Sequence, residues 1–227
     1  MNPPESSLRL VALVPMRHIS ARVPEKNFRP LAGRPLYEYI LRTLQAVPEI
    51  DAIAVDSDSP VILQGVSESF PQVHLIERPV HLRGEQVAMN EVLLHDVSAI
   101  EAPYYLQTHS TNPLLQPGTI SRAIAAFYAA LPEHDSLFSV TPLRTRLWGA
   151  DGRPLNHDPR ELIRTQDLPP IYEENSCLYV FPREPFLQRR NRIGARPLFF
   201  PVERPEAWDI DEPLDFEIVE RLIRRNE

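Results

Sequence analysis

Lysine is almost missing from this chain: of its 24 lysines and arginines only Lys26 is a lysine. Cysteine is limited to Cys177, which excludes an intramolecular disulfide and fits a reducing, cytoplasmic setting. Glycine is scarce as well, 7 residues against 25 prolines, so the loops are stiff and few positions take left-handed backbone at no cost. No apolar run approaches the roughly 18 residues of a membrane span, and no charged-then-apolar pattern opens the chain, so neither membrane insertion nor secretion is expected. A basic excess is lacking too. The net charge of −7 and pI near 5.6 argue against a duplex nucleic-acid partner. A small anionic ligand in a locally basic pocket stays compatible with that balance.

What is present is alternation. Apolar, β-type runs at 8–15, 52–56, 73–76, 104–108 and 136–141 are separated by helical patterns at 35–47, 60–69, 85–100 and 118–131. Residues 227 in number suit one domain, and the pattern predicts an α/β fold with a mostly parallel, Rossmann-like sheet flanked by helices. Between 142 and 175 the periodicity gives way to Arg, Pro and Asp, which reads as an excursion, a dimerisation arm or lid. The chain then returns as strands at 176–181 and 197–202 and closes as a helix over 213–225, with Pro213 in its first turn.

Three polar clusters follow predicted strand ends, where open α/β sheets bind ligands, or sit where the chain returns to the sheet. Pro15 and Arg17, then Arg22, Lys26 and Asn27, form a loop that can wrap a triphosphate, its cations neutralising charge that grows on a leaving pyrophosphate. The Walker A pattern is absent. A lysine ammonium is a compact point charge suited to a moving phosphate oxygen, whereas arginine's planar fork suits a static grip. Asp209 and Asp211 lie two apart, so an extended backbone points both carboxylates to one side, where they can hold Mg2+; the same pair would also serve simply to cap the last helix. Arg164, Gln166, Asn175 and Tyr179 could bind a carboxylate, hydroxyls and a sugar face, or belong to a polar surface arm.

In order and spacing these segments resemble the acylneuraminate cytidylyltransferases, the CMP-sialic acid synthetase group, which is similar to the CMP-KDO synthetases. The family's P-A-R-G-G-S-K-x-x-x-x-K-N is met by Pro15-Met16-Arg17 and Lys26-Asn27, and its L-x-G-x-P-L by the run from Leu31 to Leu36. Its S-T-D-x-x-x-I is met at Asp56, Asp58 and Ile62, its R-P at Arg78-Pro79, and its R-Q-D…Y-x-x-N-G-x-x-Y at Arg164, Gln166, Asp167, Tyr172, Asn175 and Tyr179. D-I-D-x-P-x-D is matched in full from Asp209 to Asp215. The resemblance implies the nucleotide-diphospho-sugar transferase fold and a Mg2+-dependent nucleotidyltransferase activity. In it a 2-keto sugar acid of the nonulosonic type attacks CTP, giving a CMP-sugar and pyrophosphate. It further implies that Arg17, Lys26 and Asp211 serve catalysis and that Pro15, Arg22, Asn27 and Arg78 join them at the nucleotide. His109, Arg164, Gln166, Asn175 and Tyr179 would face the sugar, Asp209 and Asp211 the metal, and the protein would be a homodimer.

Departures from the family pattern gather at base and sugar contacts. His18-Ile19 stands where the family has two glycines, so the phosphate cradle must differ in shape. His109 stands where a glutamine is usual, residues 85–89 offer no serine or threonine, and Ser176 replaces a glycine. Two other readings therefore stay open: a sugar nucleotidyltransferase using another base or sugar such as KDO, and a non-catalytic nucleotide- or sugar-binding relative.

Overall fold

The computed structural model describes residues 8–226; residues 1–7, on which the signal-pattern reading rests in part, and Glu227 lie outside the described residues. In chain order the elements are β1 (Leu10–Met16), the short pair β2 (Pro30–Leu31) and β3 (Arg34–Pro35), α1 (Leu36–Gln45), β4 (Ala52–Ser57) and α2 (Pro60–Ser69). Next come β5 (His74–Glu77), α3 (Met89–Ala99), β6 (Tyr104–Thr108), α4 (Pro117–Ala130) and β7 (Ser136–Leu143). The chain ends with β8 (Ile171–Pro182), α5 (Arg183–Arg189), β9 (Pro197–Pro201) and α6 (Pro213–Asn226). A seven-stranded sheet runs β5-β4-β1-β6-β8-β7-β9, and only β8 is antiparallel to its neighbours. The mostly parallel sheet flanked by helices expected from the alternation is thus present.

β1 lies at the centre of this sheet and is buried throughout, so its side chains sort by alternation. Leu10, Ala12, Val14 and Met16 pack with Ile40 and Leu44 of α1, Ile62 and Val66 of α2, and Ile124 and Phe127 of α4. Val11 and Leu13 face the other way, toward Leu93 and Val97 of α3 and Phe186 of α5. Local signals set the helix starts: Ser59 caps α2 by accepting from the Ile62 N–H at 3.3 Å, and proline opens α2, α4 and α6. A third, smaller cluster joins Val23 of the basic loop, Leu31, Leu36, Ile210, and Phe216 and Val219 of α6.

The structure departs from the sequence reading in four places. The helix expected over 85–100 starts at Met89; residues 85–88 contain a turn instead, and the Glu85 and Val87 carbonyls accept from Arg17, each at 3.4 Å. Strands β7 and β8 run into the excursion expected over 142–175, pairing Pro142 with Tyr172 and Leu143 with Ile171. The partly exposed, proline-bearing ends of this ribbon carry no core signature, which is why they read as irregular. Residues 144–170 connect the two strands with little regular structure beyond a bridge between Trp148 and Pro154 and a 3-10 turn at Thr165–Asp167. The β2–β3 pair and the short α5 were not expected. Ala32 (φ 44°) and Gly33 (φ 87°) both take positive φ between β2 and β3, which is what a tight two-residue hairpin turn demands.

The interior holds a charged group between β4, β5 and α3. Arg78, 1% exposed, pairs with the carboxylate of Asp56, also 1% exposed, and Asp96 lies buried against that carboxylate. One cation and two acids balance when Asp96 keeps its proton. Burial, followed by the Asp56 charge, pushes the Asp96 carboxyl up to about 9 from its usual 3.8. The folded state holds this proton across a range in which the unfolded chain has released it. Its contribution is therefore complete below about pH 4 and drains away as pH rises toward 9. Asp96→Asn, neutral at all pH, is expected to flatten the fall in urea midpoint between pH 5 and pH 9 and to exceed the parent's stability at pH 9 by on the order of 1–3 kcal/mol. A parallel fall in both proteins would show that Asp96 is ionised in the fold.

Candidate active site

The C-terminal ends of β1, β4 and β6 deliver Pro15–Arg17, Asp56–Asp58 and Gln107–Thr111 to one edge of the sheet, joined there by a distortion in β8 and by the segment before α6. Two adjoining cavities open at this edge. The first, of about 530 Å³, is lined by Pro15, Arg17, Arg22, Lys26, Asn27 and His109, with the Glu85–Gln86 segment at its side. The second, of about 840 Å³, is lined by Glu173, Glu174, Asn175, Arg204 and Trp208 among others. Ser176, Asp209 and Asp211 belong to both walls.

The basic loop and the aspartate pair, distant in sequence, meet here. Lys26 Nζ donates to the Ile210 carbonyl at 2.7 Å and to Asp211 Oδ1 at 3.3 Å, and Arg22 reaches the same oxygen at 2.8 Å. Alternation across this segment explains how: Ile210 is fully buried in the third cluster, leaving Asp209 and Asp211 on the cavity side. Asn27 ties the loop down, donating to the Arg17 carbonyl at 2.7 Å and accepting from Ser110 at 2.7 Å. Asp209 is the more enclosed acid. Burial, and then the negative charge of Asp211, raises its pKa against the opposing bond from Thr111. Its Oδ1 is buried with no hydrogen-bond partner.

His18, in the position of a family glycine, is anchored to the scaffold. Its N–H donates to Asp58 at 2.7 Å, its Nδ1 meets Ser59 Oγ at 2.7 Å, and its ring stacks on Phe28. That backbone N–H is committed to a carboxylate, so charge at this loop comes from side chains. The left-handed residue the loop needs is Glu25 (φ 58°), just before the 3-10 turn that carries Lys26 and Asn27. In β8 the pairing with β7 shifts register opposite Ser139, and Ser176 takes φ 57° there, the conformation for which its family's glycine is suited.

Other residues singled out in the sequence divide between the cavity walls and places away from them. Arg78 does not line either cavity: its charge is spent inside the fold on Asp56. Arg164 and Gln166 are exposed on the 144–170 connection, where Arg164 pairs with Asp167 at 2.6 Å. Asn175 lines the larger cavity, but its amide bonds Ser139 at 2.6 Å and Thr141 at 3.0 Å, which hold the β8 distortion. Tyr179 is buried, its hydroxyl donating to Glu174 and its oxygen accepting from Ser176 at 3.2 Å on the cavity wall. His109 lines the smaller cavity; burial, then the charges of Arg192 and Lys26, push its imidazole down to about 3, so it is neutral.

Asp58 and Gln107 carry roles the sequence did not reveal, binding the His18 N–H and Arg192. The D-I-D-x-P-x-D match did point to Asp215, which accepts the N–H groups of Asp211 at 2.9 Å and Glu212 at 2.7 Å and so fixes the backbone of the aspartate pair as it closes the first turn of α6.

A basic loop facing two carboxylates at the carboxyl edge of a parallel sheet defines a nucleotide-handling α/β protein. A family model described as "Cytidylyltransferase" matches residues 11–223, and the chain belongs to that family. It is 23% identical over 216 residues to post-translational flagellin modification protein B of Campylobacter coli, covering 90% of this chain and 91% of that protein. It is 24% identical over 240 residues to CMP-N,N'-diacetyllegionaminic acid synthase of Legionella pneumophila, covering 97% and 98%. Against the N-acylneuraminate cytidylyltransferase of Oncorhynchus mykiss the identity is 24% over 223 residues, 95% of this chain but 50% of the fish protein. Among solved structures, CMP:2-keto-3-deoxy-manno-octonic acid synthetase complexed with CTP superposes with a TM-score of 0.70 at 15% identity, over 96% of this chain and 100% of that one. A 4-diphosphocytidyl-2C-methyl-D-erythritol synthase from Anaerococcus prevotii gives 0.71 at 11%, over 96% and 97%. These likenesses to solved structures bear on the fold.

Asp215→Ala, which strips both N–H groups of their acceptor, is expected to cost about 0.5–2 kcal/mol of stability in urea unfolding, with Asp215→Asn losing less because it keeps an acceptor oxygen. Equal losses in the two variants would mean that the carboxylate charge, not the cap, is what counts.

Proposed function

We propose that the protein activates a nonulosonic, sialic-acid-like 2-keto sugar acid with CTP, forming a CMP-sugar and releasing pyrophosphate. The observation that carries this reading is the convergence of Lys26 and Arg22 on Asp211 across one cavity, in a chain of the cytidylyltransferase family. The relatives named for legionaminic and N-acylneuraminic acids support the choice of acid.

In this reading the smaller cavity takes the nucleotide and, at His109, the acid group of the sugar, while the larger one takes the rest of the sugar, the two meeting at Asp209, Asp211 and Ser176. Lys26 and Arg22 turn from Asp211 to the phosphate oxygens, where their charge offsets that growing on the departing pyrophosphate. Arg17, already holding the carbonyls of Glu85 and Val87, shapes the cavity mouth with its guanidinium beside the nucleotide. The anomeric oxygen of the sugar acid attacks the α-phosphorus as the bond to pyrophosphate breaks, and the walls around Ser176 hold the two reactants in line. Among the described residues no group of three or more acids, histidines or cysteines could cage a metal, yet magnesium needs only one or two carboxylates beside water and phosphate oxygens. The partnerless Oδ1 of Asp209, beside Asp211, fits that requirement. Asp209 and Asp211 would hold the ion, which when bound supplies phosphate charge neutralisation and lowers the pKa of the attacking hydroxyl.

We place the reaction in the cytoplasm, where CTP is made; no helix among the described residues is long and apolar enough to cross a membrane. A homodimer accounts for the 144–170 connection. Trp148 (52%), Leu155 (63%) and Leu162 (83%) are exposed there, beside the outward-facing Arg164 and Gln166, which would reach the sugar site of a second copy. Light scattering after size exclusion should give twice the 26.0 kDa chain mass, and Leu162→Asp should shift it toward one. A wild-type mass of one chain would leave Arg164 and Gln166 without a sugar-side role.

The reading is tested by pyrophosphate release with magnesium, each nucleoside triphosphate being paired with nonulosonic acids and with KDO. CTP with a nonulosonic acid should be the productive pair. Asp211→Ala should cut turnover by 100-fold or more, on the order of what removing a charge-stabilising group costs, with little change in melting temperature. Lys26→Ala should lower kcat far more than it raises KM for the sugar acid. Turnover with KDO alone would move the substrate class, and an unaltered rate for Asp211→Ala would remove the carboxylate pair from the chemistry.

A further inference from the structure

Arg192, in the loop between α5 and β9, belongs to no motif and lines neither cavity, yet its half-buried charge has two functional neighbours. Its guanidinium lies 3.6 Å over the ring of Tyr179 and donates to Gln107 Oε1. Guanidinium has only donors, so the oxygen of the Gln107 amide must face it and the NH₂ must face the other way. One N–H of that NH₂ goes to the Thr108 carbonyl at 2.9 Å; the other meets His109 Nε2 at 3.2 Å. A nitrogen that accepts this bond carries no proton.

We propose that Arg192 is a positioning residue which, through Gln107, locks His109 as a neutral imidazole protonated on Nδ1, presenting one N–H donor to an oxygen of the acid substrate. His109 lines the smaller cavity, and Nδ1 has no protein partner among the described residues. The charged groups facing the ring are Arg192, Lys26 and Asp211; the two cations and burial oppose a second proton, which agrees with the pKa near 3. A donor of this kind does not titrate above about pH 4 and discriminates by demanding an acceptor, here a carboxylate or carbonyl oxygen. The same guanidinium backs the Tyr179 ring whose hydroxyl orders Glu174 and Ser176 on the larger cavity, so one side chain braces both walls.

This inference rests on the proposed sugar-acid chemistry for its ligand but not for its hydrogen-bond logic, and two measurements separate them. Nitrogen-15 NMR of imidazole-labelled wild-type protein at pH 7, without substrate, should show His109 with Nδ1 protonated and Nε2 bare. Arg192→Met should mix the tautomers and raise the pKa of His109, and Gln107→Leu should do the same while leaving Arg192 in place. In the pyrophosphate assay Arg192→Met should raise KM for the sugar acid about tenfold, the loss of one hydrogen bond to a charged group, with kcat changed less than about threefold, and Arg192→Lys should recover part of it. A wild-type His109 protonated on Nε2, or a tautomer unchanged in Arg192→Met, overturns the proposal. So does a tautomer change with no effect on KM. Failure of the wild-type enzyme to turn over any acid would instead remove the substrate reading, and the NMR result would still decide the role of Arg192.

Discussion

The site depends on a small apolar contact more than on any charged one. Val23 and Ile210, both fully buried, pack with Leu31, Leu36, Phe216 and Val219 in a cluster separate from the main core. Burying side chains of this kind contributes about 1.5–3 kcal/mol each. That is enough to hold the basic loop against the segment before α6, whereas the ion pairs on top of it could not. Arg22 and Asp211 are 58% and 38% exposed, and exposed pairs contribute about 0–1 kcal/mol. Apolar residues set the distance between Lys26 and Asp211; the charges then occupy positions already fixed. Because Val23 lies between Arg22 and Lys26 in the loop, and Ile210 between the two aspartates, each functional residue flanks an anchor.

Scarcity of glycine is met by the same economy. A phosphate loop built on glycines offers backbone N–H groups, but here the His18 N–H is bonded to Asp58. The positive φ that glycine would supply is moved to Glu25 and Ser176, each of which costs roughly 1–2 kcal/mol of backbone strain. Neighbouring bonds hold both in place: the Phe28 and Arg29 N–H groups donate to the Glu25 carbonyl at 3.1 and 2.9 Å, and the Asn175 amide braces the turn at Ser176. The result is a loop whose electrostatics come from arginine and lysine side chains.

How far the sequence could be read follows from this division of labour. The buried strands and amphipathic helices were legible because one physical cause, burial on one or both faces, writes a period into the residues, as in β1 and α1. That the basic loop and the Asp209–Asp211 pair share one site was legible from the ordered match to the family's motifs and from no local pattern, since the pair lies between β9 and α6. Arg78 was misplaced because a buried arginine and a ligand-binding one look alike in sequence; only Asp56 and Asp96 packed around it make the difference. The early start given to α3 failed for a related reason, since 85–88 contain a turn whose contacts with the distant Arg17 leave no mark on the local pattern. Arg192 was invisible. Nothing near it in the chain announces a bond to Gln107, and only the fold brings the two together.

The pairing at Asp211 also says how such a site can stand ready without being committed. In the free protein its Oδ1 is shared by Arg22, on the solvent side, and the more enclosed Lys26, so three charges satisfy one another at one oxygen. An incoming triphosphate brings acceptors for both cations, and in the reading proposed here a divalent ion replaces them at the carboxylate. Every partner lost is then replaced by one of the same sign, so the exchange requires little reorganisation. Lysine suits that exchange better than arginine, because an ammonium on a flexible stem can swing from carboxylate to phosphate, while a forked guanidinium is best where nothing moves. Arg78 and Arg192 occupy such static positions, each fixed to a buried partner. In the proposed reading the one lysine of the chain stands, with Arg22 beside it, where cations change partners.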